Sequence, residues 1–340
     1  MMLDAATRIH SADHPALRAW SEIAESASPR AEVEILKDRS ACQAYRLAGL
    51  GPVGSNVIAK RYPESKALAE FRIYRNVLRH LPLISPQHYG LVKEKGTGLY
   101  WAFFEDVGGT PYSPAVAEQT MEAARWLAVL HASGRDVALD VDLPDRGPRH
   151  YFDCLCSGRN RIRQNLSSTL LSDDDRKVLT ALAAQCDAVE AKRECIEAWC
   201  RNAPETFVHA DLHAANIHVR PHLHGVTLVP FDWESAGCGV PAIDLALEGV
   251  NLTAYCAIAR QVWPGLDIEV ASALSKVGKI FQLLELVAWE SKGLESEWIR
   301  RPMKHMRYYQ AELSRASHAI DCTPPPGSYE HLPGFTRVSA

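Results

Sequence analysis

Hydrophobic and polar positions along the chain change their period near residue 31. Residues up to about Pro29 carry apolar side chains at helical spacing and predict an amphipathic helix. The residues that carry this spacing are Ala16, Leu17, Trp20 and Ile23. From residue 31 to residue 62, apolar and polar positions alternate in three short runs, VEIL, AYRLAGL and VIAKRY. These runs predict three β-strands separated by turns.

The pattern after residue 62 alternates between helix and strand. The segment ESKALAEFRIYRNVLRHL predicts a helix that ends at a proline. SPQHYGLV and LYWAFFEDVGG predict two further strands, the second of which ends in a Gly-Gly pair. After the following Ser-Pro pair the chain is mostly helical, except between residues 207 and 234, where strand-like pieces alternate with His, Asp and Asn.

These elements predict an α+β fold with two lobes. Residues 1–105 form a small lobe with an antiparallel sheet and a helix, and residues 106–322 form a larger, mainly helical lobe. Residues 323–340 are rich in Pro, Gly and Ser and predict a loose tail. Because ligands of two-lobed proteins commonly bind between the lobes, we expect the functional site there.

Composition and charge narrow the class of protein. The chain has 340 residues, and its 37 Lys plus Arg against 41 Asp plus Glu give a formal charge of -4. This balance argues against binding to nucleic acid or to a membrane surface. The nine Cys are scattered without a C-x-x-C pair, and no apolar run approaches the ~18 residues of a membrane helix. We therefore expect a cytoplasmic monomer or homodimer with reduced thiols.

The chemistry-bearing segment is FVHADLHAANIHV at residues 207–219, which is followed by LVPFDWE at residues 228–234. It places Asp211 five positions before Asn216, and Asp232 a further 16 positions on. A carboxylate can orient a hydroxyl proton, while an amide oxygen and a second carboxylate suit Mg²⁺. The spacing fits the kinase catalytic loop H-x-D-x-x-x-x-N with a metal-binding Asp on the next strand.

A kinase also requires a lysine on the third strand and a glutamate on the next helix. VIAK supplies Lys60, and Glu70 follows ten residues later on the predicted helix. The strand WAFFEDVGG, with Phe104, Glu105 and Val107, ends where adenine would lie. The order and the spacing of these residues agree with the motif at residues 207–234.

The chain resembles the aminoglycoside phosphotransferase/choline kinase-like group of small-molecule kinases, which share the protein-kinase-like fold. The resemblance covers roughly residues 31–300 and rests on VIAKRY, AEFRIYRNVL, FFEDVGG, WLAVLHASG, FVHADLHAANIHV and VPFDWESAGCGVPAIDLA. It implies transfer of the γ-phosphate of ATP, with GTP left open as the donor, to a hydroxyl of a small molecule. The expected acceptors are aminoglycoside-, amino alcohol- or sugar-like, and Mg²⁺ is the implied metal.

The resemblance also implies roles for the motif residues on the nucleotide side. Lys60 would contact the α- and β-phosphates, and Glu70 would hold this lysine in place. Asn216 and Asp232 would bind Mg²⁺. Asp211 would be the catalytic base or the group that orients the acceptor hydroxyl.

Two further residues would support the catalytic loop, according to the resemblance. Asp244, in PAIDLA, would be the buried carboxylate that braces the loop, and His209 would be a structural member of it. Asp232-Trp233-Glu234 stands where protein kinases have Asp-Phe-Gly, and no Ala-Pro-Glu segment follows it. These two departures argue against a protein substrate.

The sequence departs from the family in two loops. Ala210 stands where Gly is frequent, and Ala there costs about 1 kcal/mol if the backbone needs positive φ. The expected phosphate loop, residues 37–43, contains no glycine. Ser40 and its neighbours would therefore have to bind phosphate through backbone N–H groups and a hydroxyl.

No sequence motif identifies the residues that would contact the acceptor. Trp233 and Glu234 follow the metal-binding Asp and are candidates, although Trp233 also suits core packing. Glu285, Trp289 and Glu290 lie on the late predicted helix KIFQLLELVAWESKG, which could line the acceptor pocket. The same helix could instead be buried with its acids exposed to solvent.

Three alternatives compete with the kinase interpretation. His209, Asp211 and His213 could bind zinc for hydrolysis, since alternate residues of a strand share a face. The glycine-free phosphate loop could mark a nucleotide-binding kinase homologue with altered catalysis. The match to G-x-G-x-x-G at residues 49–54 would need a following helix to bind a dinucleotide. Here the sequence continues as strand, so a hairpin turn is the expected structure.

Overall fold

The computed structural model describes residues 8–9, 13–24, 32–39, 42–201, 203–296 and 298–320. The chain folds into two compact units, and the first combines Met1–Trp126 with Asp211–Ala236. The second combines Leu127–Ala210 with Gly237–Ala340. The predicted division at residue 105 stays a prediction, and the predicted tail lies outside the described residues. The catalytic motif from Asp211 onward belongs to the same unit as Lys60 and Glu70.

Twelve strands are found in the described residues. They are β1 (Arg8–Ile9), β2 (Val33–Arg39), β3 (Cys42–Leu47), β4 (Val57–Pro63), β5 (His88–Lys93), β6 (Leu99–Glu105), β7 (Thr110–Pro111), β8 (Asp145–Arg146), β9 (Thr206–Val208), β10 (Ile217–His222), β11 (Gly225–Pro230) and β12 (Gly237–Gly239). The first six form one sheet in the order β1-β2-β3-β4-β6-β5, and its neighbouring strands all run antiparallel. The predicted antiparallel sheet is thereby confirmed.

Ten α-helices lie in the same residues. They are α1 (Pro15–Ser21), α2 (Glu64–Asn76), α3 (Ala117–Asp140), α4 (Pro148–Asn165), α5 (Asp173–Glu190), α6 (Arg193–Arg201), α7 (Ala242–Leu245), α8 (Leu252–Ala259), α9 (Ile268–Ser291) and α10 (Arg300–Ala319). In the described part of the chain, no helix combines the length and the apolar character that crossing a membrane requires.

The N-terminal segment differs from its prediction. The amphipathic helix is present as α1, and its buried Trp20 packs 5.1 Å from the ring of Phe103 on the sheet. Arg8–Ile9, however, is a strand that pairs with Glu34 and Val33 of β2. The helix prediction is wrong for these two residues because the open edge of β2 offers backbone partners that local periodicity does not encode.

Helix α2 follows β4 without a loop and turns a charged side chain into the core. Its buried residues, at helical spacing, are Ala67, Glu70, Ile73 and Tyr74.

The segment that contains G-x-G-x-x-G connects β3 to β4, which pair from Leu47 and Val57 outward. The predicted hairpin is confirmed, and the required helix for dinucleotide binding does not follow the third glycine.

Two three-stranded sheets frame the catalytic segment within their respective units. In the first unit, β10 and β11 form an antiparallel hairpin, and β7 pairs with the other edge of β10. In the second unit, β12 pairs with β8 and with β9, which leads into the motif. The strands expected between residues 207 and 234 are therefore present, whereas the short strands β7, β8 and β12 were not predicted.

Short helix α7, which carries Asp244, packs closely on the long helix α9 of the same unit. A Cβ placed on Gly278 of α9 would lie 1.7 Å from the carbonyl oxygen of Ala242. Real side-chain carbons do not approach a backbone oxygen so closely, so glycine is required at this contact. The position of α7 therefore depends on the absence of a side chain at residue 278.

We expect Gly278→Ala to lower the free energy of unfolding by about 2 kcal/mol or more, because overpacking against a backbone outweighs the helix propensity of Ala. Chemical denaturation measures the change. Lys276→Ala, at an exposed position of the same helix, is the matched control and should change stability by less than about 0.5 kcal/mol. Equal stability of Gly278→Ala and the unsubstituted protein would contradict the contact.

Candidate active site

Lys60 and Glu70 form a buried ion pair in the first unit. The Nζ atom of Lys60, on β4, lies 3.1 and 3.0 Å from the two carboxylate oxygens of Glu70 on α2. Lys60 is 8% exposed and Glu70 is 0% exposed. The hydroxyl of Tyr62 donates to Glu70 Oε2 at 2.7 Å, and the backbone N–H of Trp233 donates to Oε1 at 3.0 Å. The predicted partners therefore meet, and Glu70 is fully hydrogen-bonded.

Two further carboxylates surround the same lysine. Asp232 Oδ1 lies 2.5 Å from Lys60 Nζ, and Glu234 Oε2 lies 3.6 Å from it. The second oxygen of Glu234 accepts a hydrogen bond of 3.0 Å from Nζ of Lys66, one helical turn before Glu70 on α2. The site thus alternates acids and lysines, with Glu234 between two ammonium groups.

The electrostatics of the pair follow from burial and from these neighbours. Burial would lower the pKa of Lys60, but Asp232, Glu70 and Glu234 raise it well above its ordinary value. Burial raises the pKa of the Glu70 carboxyl, while the charge of Lys60 lowers it; the net shift is upward. Lys60 is thereby held as an ammonium ion within a group of carboxylates.

The predicted catalytic residues lie in one loop before β10. The side-chain amide of Asn216 donates to the backbone oxygen of Asp211 at 3.0 Å and to its Oδ2 at 3.1 Å. His213 Nε2 lies 3.6 Å from Asp211 Oδ1, and burial lowers the pKa of this histidine. The carbonyl of Asn216 accepts from the N–H of Phe231, which directly precedes Asp232. The β10–β11 hairpin therefore brings Asn216 close to the segment that bears Asp232.

Two residues at this site adopt the left-handed backbone conformation. Asp232 has φ 66° and ψ 57°, and Ala210 has φ 65°. Non-glycine residues are uncommon in this region, and such strain is characteristic of functional sites. Because residue 210 has a positive φ, Ala at this position costs about 1 kcal/mol relative to Gly.

A buried carboxylate holds the backbone immediately before Asp211. In the second unit, Asp244 is completely buried, and its two oxygens accept from the N–H groups of His209 and Ala210 at 2.8 and 2.9 Å. His131 Nε2 lies 3.4 Å from the same carboxylate, and its Nδ1 lies 2.9 Å from the hydroxyl of Tyr255. This placement of Asp244 and His209 agrees with their expected supporting roles.

The residues expected around adenine lie at the end of β6. The ring of Phe104 is buried, and Lys60 Nζ lies 5.1 Å from its centre. Glu105 forms an ion pair of 2.5 Å with Arg220 of β10, and the same guanidinium donates to the carbonyl of Val107. Arg220 thus ties this segment to the catalytic hairpin, and adenine contact remains a prediction. Ser40 lies outside the described residues.

The acceptor candidates fall into two groups. Trp233 is 1% exposed and its ring lies 6.1 Å from Trp126, which favours core packing over acceptor contact. On α9, Glu285 lies 3.7 Å from His150, and Glu290 lies 3.0 Å from His305. Trp289 is 54% exposed. The late helix is confirmed, and its acids engage histidines of the same unit.

One group of carboxylates in the first unit could hold a metal ion. Within the described part of the chain, Glu70, Asp232 and Glu234 bring carboxylate oxygens within 4.8 Å of one another, whereas His209, Asp211 and His213 do not form such a group. The zinc interpretation is therefore not supported by the described residues. An all-oxygen set fits Mg²⁺.

Sequence reasoning missed Lys66 as a member of this cluster. The available signal was its position four residues before Glu70, which places both side chains on one face of α2.

We expect Lys60→Met to lower stability by about 3–5 kcal/mol, because the buried Glu70 loses its partner. The folded-state pKa of Glu70 is already raised, and loss of Lys60 raises it further. The Lys60→Met variant should therefore keep its stability at low pH, where Glu70 is protonated. It should lose stability as the pH rises above the ordinary glutamate pKa. The loss should be larger at pH 8 than at pH 5 in denaturation experiments.

Lys60→Met/Glu70→Gln provides the control for this pH dependence. It removes the ionisation of Glu70 and should abolish most of the difference between the two pH values. A difference of the same size in both variants would show that Glu70 is not its source.

Solved structures with this fold belong to several small-molecule kinases. An aminopropanol kinase associated with a microcompartment is 14% identical, covers 89% of this chain and 95% of its own, and has a TM-score of 0.60. Choline kinase from Cryptosporidium parvum Iowa II is 15% identical, with coverages of 90% and 94% and a TM-score of 0.54. Spectinomycin phosphotransferase in complex with ADP and spectinomycin is 10% identical, with coverages of 85% and 92% and a TM-score of 0.55.

These similarities establish a protein-kinase-like fold, as predicted. No curated protein matches the chain. A family model described as the phosphotransferase enzyme family matches residues 43–263, which include Lys60, Glu70, Asp211, Asn216 and Asp232. The chain therefore belongs to the phosphotransferase enzyme family, which confirms the predicted class of enzyme, a phosphotransferase of the small-molecule kinase kind.

Proposed function

We propose that the protein transfers the γ-phosphate of ATP, in the presence of Mg²⁺, to a hydroxyl group of a small molecule. The observation that carries the proposal is the convergence of Lys60, Glu70 and Asp232, with Nζ of the lysine 2.5 Å from Asp232 and 3.0 Å from Glu70. In phosphoryl transfer, positioning and electrostatic stabilisation account for most of the catalysis. A lysine fixed by a buried acid next to a metal-binding acid suits this task.

Donor binding is supported by the residues of the first unit and by a relative. The spectinomycin phosphotransferase of the same fold was solved with ADP. Here Lys60 would bind the α- and β-phosphates, and the Phe104–Val107 segment would contact the base. ATP is the preferred proposal, and GTP is the alternative that a binding comparison resolves.

Asp232, Asn216 and Glu234 would hold the magnesium ion through oxygen atoms. When bound, the ion would neutralise charge on the phosphates. Lys60 would then turn from Asp232 toward the phosphate oxygens, since both are anions that compete for the same ammonium group. Glu70 keeps the lysine charged and in place during this exchange.

Asp211 would orient the acceptor hydroxyl and accept its proton. Its Oδ2 accepts a hydrogen bond from Asn216, and its Oδ1 faces His213, so the carboxylate is fixed on both sides. The acceptor is proposed as an aminoglycoside, an amino alcohol or a sugar. Kinases of aminopropanol and choline share the fold, and their acceptors belong to the second of these classes.

We expect Asp211→Asn to reduce turnover at least 100-fold while ATP binding changes little, since the amide cannot accept the hydroxyl proton. ADP release is measured over a panel of amino sugars, antibiotics, amino alcohols and sugars. Asp174→Asn, at an exposed surface position, is the matched control and should retain full turnover. Near-normal turnover of Asp211→Asn on the best acceptor would reject the assignment, and ATP binding without any ADP release would favour a non-catalytic homologue.

We expect ATP to raise the melting temperature only when Mg²⁺ is present. At 100 times the dissociation constant, ligand binding adds about 2.7 kcal/mol of stability. Asp232→Asn should lose the magnesium-dependent part of the shift, and because Asn tolerates positive φ, the fold should be retained. Stabilisation of this variant by Mg²⁺ and ATP to the full extent would remove Asp232 from the metal site.

A further inference from the structure

The expected phosphate loop lacks the usual means of binding phosphate. Glycine-rich loops cradle phosphates through backbone N–H groups, but residues 37–43 contain no glycine. Strands β2 and β3 are paired as far as Arg39 and Cys42, so only two residues connect them. A nucleotide at this site therefore needs side chains, in place of glycine backbone, as ligands for its phosphates.

We propose that Lys37 and Lys66 bind the nucleotide phosphates on either side of Lys60, so that side-chain ammonium groups replace the glycine-rich loop. The inference rests on the proposed function and adds to it the means by which this chain holds the triphosphate. The pairing of β2 with β3 supports the role of Lys37, and the contacts of helix α2 support the role of Lys66.

A β-bulge aims Lys37 toward the site. Ile35 is paired with Tyr45, but Lys37 is paired with Ala44, so one extra residue of β2 is inserted between them. Without this insertion Lys37 would share the face of Ile35 and Tyr45, which packs against the hydrophobic core. Because the period of a strand is two, the single extra residue transfers Lys37 to the opposite face.

The opposite face is the one that carries Lys60. Ala44 is paired with Lys37 on one side and with Lys60 on the other, and directly opposed residues of antiparallel strands point to the same face. The two lysines are thus separated by one strand, a Cα distance of about 10 Å. The small side chain of Ala44 leaves the space between them open, and both ammonium groups can reach one triphosphate.

The surroundings of Lys37 agree with this direction. Burial lowers the pKa of His213, and the positive charge of Lys37 lowers it further while Asp232 raises it. Lys37 therefore acts electrostatically on the loop that carries Asp211. Its own side chain is exposed, so no competing core contact fixes it.

Lys66 approaches from α2. It lies one turn before Glu70 on the same helix face, and Glu234 accepts its hydrogen bond at 3.0 Å. The ammonium group therefore lies beside a proposed metal ligand, and its side chain is 40% exposed.

The test measures affinity for adenosine, ADP and ATP by isothermal titration calorimetry with Mg²⁺. Lys37→Met and Lys66→Met should each weaken ATP binding roughly tenfold, the loss expected for a charge-assisted hydrogen bond. ADP should be affected less, and adenosine should bind as it does to the unsubstituted protein. Lys37→Arg and Lys66→Arg should restore most of the ATP affinity.

Two controls separate phosphate binding from structural effects. Lys93→Met, at an exposed position of the same sheet, should leave all three affinities unchanged. Lys66→Met is also compared in a Glu234→Gln background, where it should still weaken ATP binding. If it has no effect there, Lys66 acts only by holding Glu234 and its phosphate contact is rejected.

The outcomes distinguish this inference from the function on which it rests. If the unsubstituted protein binds neither ATP nor GTP, the proposed kinase function fails and this inference fails with it. If it binds only GTP, the same comparison is made with guanosine, GDP and GTP. If the unsubstituted protein binds ATP and the two Met variants bind it equally well, only this inference is overturned. Equal losses for adenosine and ATP would also overturn it, because a phosphate ligand cannot affect adenosine.

Discussion

The buried carboxylate of Glu70 is the group on which the arrangement of the site depends. An ionised carboxyl group without exposure to water is tolerated only when its oxygens are paired. Glu70 meets this condition with donors from three places: the Nζ of Lys60, the hydroxyl of Tyr62 and the backbone N–H of Trp233. The relative positions of strand β4, helix α2 and the segment after β11 are therefore fixed by the hydrogen bonds of one side chain.

The same principle acts within the second unit, where the catalytic segment begins. The carboxylate of Asp244 accepts hydrogen bonds from the N–H groups of His209 and Ala210. Ala210 is thereby held in a conformation that Gly would adopt more easily. Asp232 likewise has a left-handed backbone conformation. The next residue, Trp233, donates its backbone N–H to Glu70. Two buried acids thus stabilise two strained residues, one immediately before Asp211 and one at the proposed metal site.

The sequence predicted those features that depend on short-range spacing. Lys60 on a strand, Glu70 on a buried helix face, and Asp211 with Asn216 each follow from a period or a fixed interval, and the structure places them in one unit. The bulge before Lys37, the edge pairing of Arg8–Ile9 and the left-handed Ala210 depend on partners distant in the chain. No periodicity encodes those partners, so these features had to come from the structure.

The charges of the site explain why a divalent cation belongs to the proposed function. Four carboxylates, Glu70, Asp211, Asp232 and Glu234, stand against the ammonium groups of Lys60 and Lys66 and of the proposed phosphate ligand Lys37. A triphosphate that approached this group alone would meet an excess of negative charge in a partly buried site, where repulsion is weakly screened. A bound magnesium ion would cancel this excess, and Lys60 could then exchange Asp232 for phosphate. In the proposed function, the species that binds would therefore be the magnesium complex of the nucleotide and not the free nucleotide.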